Sequence, residues 1–181
     1  SALIGAICDT FSPRMAKGKD VVATQQGFAP ETYSDYYRML DNSTIDAVVI
    51  MTPEHLHRDM AVAALEAGKH VYCEKPMAHS LGEARQMVFA AESAGVKLAV
   101  GESYYFHAPH RLAHRLIKEG EIGDIVQLRQ TKGVWVFAPA EHARLEGRGH
   151  DVPWRFDPRL SGGGEFPFFM DHGSHLFASA R

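Results

Sequence analysis

No apolar run in this 181-residue chain is long enough to cross a bilayer. The clearest, Ala47 to Met51, falls far short of the ~20 residues that a membrane helix needs, so a membrane is not expected as a partner. Cysteine is nearly absent. Cys8 and Cys73 are the two, and both end apolar runs. That is the usage of free, buried thiols, and it leads to the expectation of a reducing compartment, the cytoplasm. A charged-then-apolar leader is missing as well, so no secretory address is expected. Charge of one sign is also lacking, with 19 Lys and Arg against 22 Asp and Glu, a formal −3 and no long run of either. Phosphate neutralisation then has no electrostatic footprint, and nucleic acid is not an expected partner. What remains is ordinary globular composition, 45% hydrophobic, 23% charged and 10% aromatic. It excludes a disordered tail, a collagen-like rod and a low-complexity linker.

The first half alternates strand-like and helix-like runs. Ala2 to Cys8 is a short apolar run closed by Asp9-Thr10, and Ser34 to Leu40 reads as helix. Ile45 to Met51 is β-branched and stops at Thr52-Pro53. From Glu54 to Ala67, the residues Leu56, Met60, Ala63, Ala64 and Ala67 recur three or four apart, which is helical spacing, and Gly68 is a natural stop. His70 to Cys73 is the next strand, broken by Glu74-Lys75-Pro76. Ser80-Leu81-Gly82-Glu83 is a capping box that opens a helix to about Ala94. Gly95 ends it and Val96 to Val100 is again strand. This order predicts βαβ units in a doubly wound parallel sheet, and the nearly continuous apolar strands predict helices on both faces. After a boundary near Gly101, His107 to Glu119 reads as helix and Asp124 to Phe137 as one long strand or two. Pro139 to Gly164 reads as loop, and Asp171 to Arg181 is helix-like. The expected domains are therefore 1–101 and 102–181.

A dinucleotide-binding sheet normally opens with a strand and a Gly-x-Gly-x-x-Gly turn, and none is present. Gly162-Gly163-Gly164 is not placed between a first strand and its helix. If Ala2 to Cys8 is the second strand of the usual 3-2-1-4-5-6 order, the sheet lacks its central member, whose neighbours would be left with open backbone donors. The chain is therefore expected to be part of a longer protein.

Several short motifs could carry chemistry, each beside a plainer reading. Asp9 follows a strand, where an acidic residue accepts hydrogen bonds from an adenosine ribose and repels a 2′-phosphate, favouring NAD over NADP. It fits a turn or a helix cap equally well. Arg14 is close enough to soften the repulsion. Thr52-Pro53-Glu54-His55-Leu56-His57 joins a strand end to a helix start, where backbone donors suit an anionic or ribose ligand. Taken alone, it reads more simply as an N-cap by Thr52. Lys75, after Glu74 at another strand end, could move protons beside a cofactor, although most lysines are simply exposed. Asp171 and His175 are four apart on one helix face, a proton-transfer arrangement that also fits a capping Asp with a helix-face His. No third metal ligand accompanies them, so no metal is expected. His107, His110 and His114 share a helix but read better as a solvated or partner-facing stripe. Tyr104, Tyr105, Trp154 and Arg155 could line a polar pocket, although aromatics are more often core.

Taken together, Asp9, Thr52-Pro53 with His57, Glu74-Lys75-Pro76, the segment Gly120 to Ile125, Trp154-Arg155, and Ser161 to Gly164 followed by Asp171 and His175 resemble the Gfo/Idh/MocA family. This is the glucose–fructose oxidoreductase and inositol 2-dehydrogenase group. The resemblance implies a Rossmann-type sheet followed by part of an α/β domain with a large, mainly antiparallel sheet. It implies NAD as cofactor, with NADP as the alternative, a sugar, inositol or polyol as substrate, and a homo-oligomer, dimer or tetramer. By similarity Lys75 and His175 handle the proton and Asp171 assists or holds the substrate. Glu74 touches the nicotinamide ribose. Asp9, Thr10, Thr52, Pro53, His57 and Lys75 line the cofactor groove, and Tyr104, Trp154 and Arg155 face the substrate. Two features depart from the family. Glu102-Ser103-Tyr104-Tyr105 stands where many relatives carry an Asn-Arg or Arg-Arg pair, and Glu165 to Met170 adds a proline and three phenylalanines. Two further expectations share the fold: a redox-neutral glycosidase that oxidises its sugar transiently, and a non-catalytic sensor or assembly protein. Lys75, Asp171 and His175 argue against the last.

Overall fold

A computed structural model describes residues 2–130 and 167–180, with side chains described for all of these except 167–172. The chain divides into two compact units. The first comprises Ser1–Ile50, Arg58–Tyr72 and Arg85–Ala99. The second comprises Met51–His57, Cys73–Ala84 and Val100–Arg181. The short loops after two strands, Met51–His57 and Cys73–Ala84, thus group with the second half of the chain.

In the first unit, β1 (Ala6–Cys8) and β2 (Glu31–Tyr33) pair in parallel, Ala6 opposite Glu31 and Cys8 opposite Tyr33. Helix α1 (Ser12–Gln26) makes the crossover between them and packs on both. A proline in its first turn suits the helix start. Gly27 ends it in the left-handed conformation at φ 84°, its N–H returning to the Ala23 carbonyl. At Gly18 a Cβ would lie 3.3 Å from Ile7 Cδ1, so the helix reaches the strand where a side chain is missing. Helix α2 (Tyr36–Leu40) follows, capped by Asp35, whose carboxylate accepts from Tyr37 N at 2.9 Å.

A separate sheet holds β3 (Ala47–Ile50), β4 (His70–Glu74) and β5 (Leu98–Gly101) in that order. His70 N bonds to Asp46 O and Val71 N to Lys97 O, start beside start, which is the parallel arrangement. A 3-10 turn (Glu54–Leu56) and α3 (His57–Glu66) join β3 to β4, and α4 (Leu81–Ala94) joins β4 to β5. The predicted capping box is formed. Glu83 N donates to Ser80 Oγ at 3.2 Å, and Glu83 Oε2 accepts from His79 N and Ser80 N. Gly68 and Gly95 end their helices at positive φ, as expected. Among the described strands, β1 and β3 are not hydrogen-bonded to each other.

Two expectations change. Strand alternation in β3 buries Val48 and Ile50 but leaves Val49 59% exposed, and in β4 Tyr72 is 43% exposed. Within the described residues, the sheet is therefore covered on one face rather than two. The buried side chains of this unit include Ala61, Ala64 and Leu65 of α3, Met87, Ala90 and Ala91 of α4, and Val48, Ile50 and Val71. Nor does the segment from Asp124 to Gln130 form a strand. Val126 there is 96% exposed, and a strand without a neighbour leaves its backbone groups to water. The rest of that expected strand, 131–137, the loop with Trp154 and Arg155, and Gly162 to Gly164 lie outside the described residues, as does any antiparallel sheet built from them. In the second unit the described helices are α5 (Ser103–Phe106), α6 (Ala108–Lys118) and α7 (Pro167–Ala180), and α5 packs on both of the others. Helix α7 begins four residues before Asp171. That residue is thus interior to the helix and not its cap.

Candidate active site

Two loops of the second unit meet at one buried ring. His57 is fully buried. Its Nδ1 lies 2.8 Å from the Pro76 carbonyl oxygen and its Nε2 3.0 Å from that of Thr52. Carbonyl oxygens only accept, so the ring nitrogen that carries the hydrogen is the donor, and the buried ring sits between the loop after β3 and the loop after β4. This places His57 differently from the sequence expectation. Its ring nitrogens face backbone oxygens, and it acts on the loops rather than reaching into a groove. Next to it, Glu54 is 2% exposed, with Oε2 4.0 Å from His79 Nε2.

Thr52 does not cap the following turn. Pro53 holds the N-cap position and no side chain bonds there. Thr52 Oγ1 is instead buried without a hydrogen-bond partner among the described residues. A buried hydroxyl left unmatched is costly. One at a strand's carboxyl end, where open α/β sheets bind their ligands, fits a site built for a polar cofactor. Glu74 and Lys75 sit at the corresponding end of β4, both half-buried, followed by a cis Lys75–Pro76 peptide bond and the buried Pro76. Thr52, Pro53, Glu74 and Lys75 are the residues at these two strand ends that could hold a cofactor. Among the described residues, no cluster of His, Cys, Asp and Glu has the makings of a metal site.

The second unit also carries a pair that sequence reading left unassigned. His175 Nδ1 lies 2.6 Å from Glu102 Oε1, with the two side chains 11% and 14% exposed. The same oxygen accepts from Tyr104 N at 3.0 Å, so Glu102 is also the cap of α5. The Tyr104 ring stacks on His175, centroids 4.4 Å apart and planes 21° from parallel. Burial alone raises the Glu102 carboxyl. The hydrogen bond from His175, the Tyr104 amide, the imidazole charge and Ser174 outweigh it and hold the group below its ordinary value. The Tyr104 ring also meets His110 in a tilted contact, centroids 5.2 Å apart, and His110 Nδ1 faces the Tyr104 carbonyl oxygen at 3.1 Å. His110 thus belongs to this aromatic cluster and not to a solvated stripe. Glu102 stood out in the sequence only as part of the segment Glu102-Ser103-Tyr104-Tyr105, and no local signal pointed to His175.

In the first unit, the Asp9 carboxylate accepts from Phe11 N at 2.8 Å and pairs with Arg14 at 3.0 Å. The turn reading of Asp9 is thus realised, although it does not cap α1, whose N-cap is Phe11. Arg14 does offset its charge. Thr10 beside it is exposed.

Residues 4–102 match the Gfo/Idh/MocA description, an oxidoreductase family with an NAD-binding Rossmann fold. The chain belongs to that family. Among curated relatives it is 35% identical over 160 residues to the 1,5-anhydro-D-fructose reductase of Ensifer adhaerens, covering 88% of this chain and 44% of that protein. It is 31% identical over 125 residues to the 2,7-anhydro-N-acetylneuraminate hydratase of Escherichia coli, covering 69% of this chain and 31% of the relative. Among solved structures, the WlbA dehydrogenase of Bordetella pertussis, in complex with NADH and UDP-GlcNAcA, superposes with a TM-score of 0.61 at 31% identity. That match covers 67% of this chain and 34% of the other. The family member described here thus spans less than half the length of these relatives.

Proposed function

We propose that the protein of which this chain is part is an NAD(P)-dependent dehydrogenase that moves a hydride between a nicotinamide and a sugar, inositol or related polyol. The observation that supports this most is that Lys75, at a strand end, and His175, held by Glu102, belong to one compact unit of a chain from an NAD-binding oxidoreductase family. Residues 1–101 would serve the cofactor and 102–181 the substrate and a homo-oligomeric interface, with the cytoplasm as the working compartment. The bound nicotinamide would accept or return the hydride. This chain's part is to orient the carbinol and move its hydroxyl proton, to Lys75 or His175 in oxidation and back again in reduction, with Asp171 assisting. Positioning is the larger contribution, and one placed acid–base group adds about 10²–10⁴-fold. NAD is the expected cofactor because Asp9 follows β1. Arg14, paired to it, leaves NADP as the alternative.

A redox-neutral outcome on the same fold is the second reading, favoured by the relative named a hydratase. A panel of sugars and inositols, tested on the full-length protein with NAD and with NADP, separates the two. Net accumulation of reduced cofactor supports the dehydrogenase. Turnover of an anhydro- or glycosidic sugar without net accumulation supports the redox-neutral reading. If neither cofactor binds, both readings are wrong.

A further inference from the structure

We propose that Glu102 is a positioning residue for the reaction, holding His175 as the tautomer whose Nε2 takes the substrate proton. The proposal rests on the reading of His175 as a proton-handling group. A carboxylate only accepts, so at 2.6 Å the proton of the contact lies on Nδ1. In the neutral ring, the lone pair then falls on Nε2, one nitrogen away and pointing from the carboxylate. Two further contacts fix the geometry. Glu102 Oε1 is itself tied to Tyr104 N at 3.0 Å, so the carboxylate cannot follow a rotating ring. Tyr104 stacked at 4.4 Å sets the ring plane. Rotation within the plane is governed by Glu102 and tilt by Tyr104. With both partners mostly out of water, the charge-assisted bond is stronger than it would be at a surface.

The chemistry balances without a further reactant. A bound nicotinamide would take the hydride when the carbinol C–H bond breaks in oxidation. The O–H bond breaks, its proton passes to Nε2, and the carbonyl forms. The ring becomes an imidazolium facing the Glu102 carboxylate, which stabilises the new charge. In reduction the same proton returns.

The test uses the full-length protein with Glu102→Gln and Glu102→Asp, and with His175→Ala as reference. Ring-labelled ¹⁵N NMR of His175 should show Nδ1 protonated and Nε2 unprotonated in the parent. The Gln variant should give a mixture of tautomers, and the Asp variant should return toward the parent. Turnover should fall about tenfold or more in the Gln variant, with KM and cofactor affinity nearly unchanged, and recover in part with Asp. A purely capping role would lower stability without moving the tautomer or separating kcat from KM. Parent-like tautomer and kcat in Glu102→Gln, while His175→Ala is inactive, overturn the proposal and leave the proposed function standing. An active His175→Ala overturns both.

Discussion

His57 faces the Pro76 carbonyl oxygen at 2.8 Å, and in that contact a buried ring governs the loop that carries Lys75. Its other nitrogen lies 3.0 Å from the Thr52 carbonyl oxygen. Replacing His57 by Leu keeps the volume but removes the ring's N–H donor from between two buried carbonyl oxygens. The expected cost is about 2 kcal/mol, read as a shift in the denaturation midpoint of the full-length protein, together with weaker cofactor binding. An unaltered midpoint would mean that the ring ties neither loop.

Lys75→Ala should reduce turnover by about 10²–10⁴-fold while the cofactor dissociation constant changes far less. Steady-state kinetics and a binding titration on the same preparation check this. Unchanged turnover removes Lys75 from proton transfer.

Acid should loosen the second unit through Glu102. Burial raises that carboxyl, but the His175 hydrogen bond and its companions more than compensate, so the folded value lies below the ordinary 4.5. The unfolded chain therefore binds the proton first as pH falls. The stabilisation is complete above 4.5 and disappears as pH drops through the lower, folded value. Comparing pH-dependent melting of the parent with Glu102→Gln should show this component only in the parent.

Cys73 is fully buried, and burial, helped by the Glu74 charge, pushes its thiol up to about 12. It should resist alkylation at pH 8 in the folded protein and react on unfolding, because only the thiolate attacks. Cys8 is half-buried and should label first. Rapid native labelling of Cys73 would contradict the packing around β4.

Ser80→Ala removes one arm of the capping box at α4 and should cost about 1 kcal/mol. Calorimetry or denaturant melts of the full-length protein would reveal it, with Ser80→Thr retaining most of the stability.

Local pattern carried much of the fold. The β-branched run at Ala47–Ile50, the capping box at Ser80–Glu83 and the glycines at 68 and 95 are signals read within a few residues, and each was legible. Helix α1 was not. Of its fifteen residues only Val22 is buried, so it has no apolar stripe for periodicity to detect. Strand β2 escaped for a related reason: Glu31 and Thr32 are exposed, and only pairing with β1 makes the segment a strand.

At the candidate site, the sequence by itself determined which chemistry was on hand: a lysine at a strand end, an imidazole on a late helix and acidic residues near both. Only the tertiary structure decided the pairings. Glu102 and His175 stand 73 positions apart and meet at 2.6 Å, and His57 spans 19 positions to reach Pro76. A hydrogen bond needs its two heavy atoms within about 3 Å. For residues that far apart along the chain, that closeness depends on how the helices and strands pack, and local spacing carries no record of it.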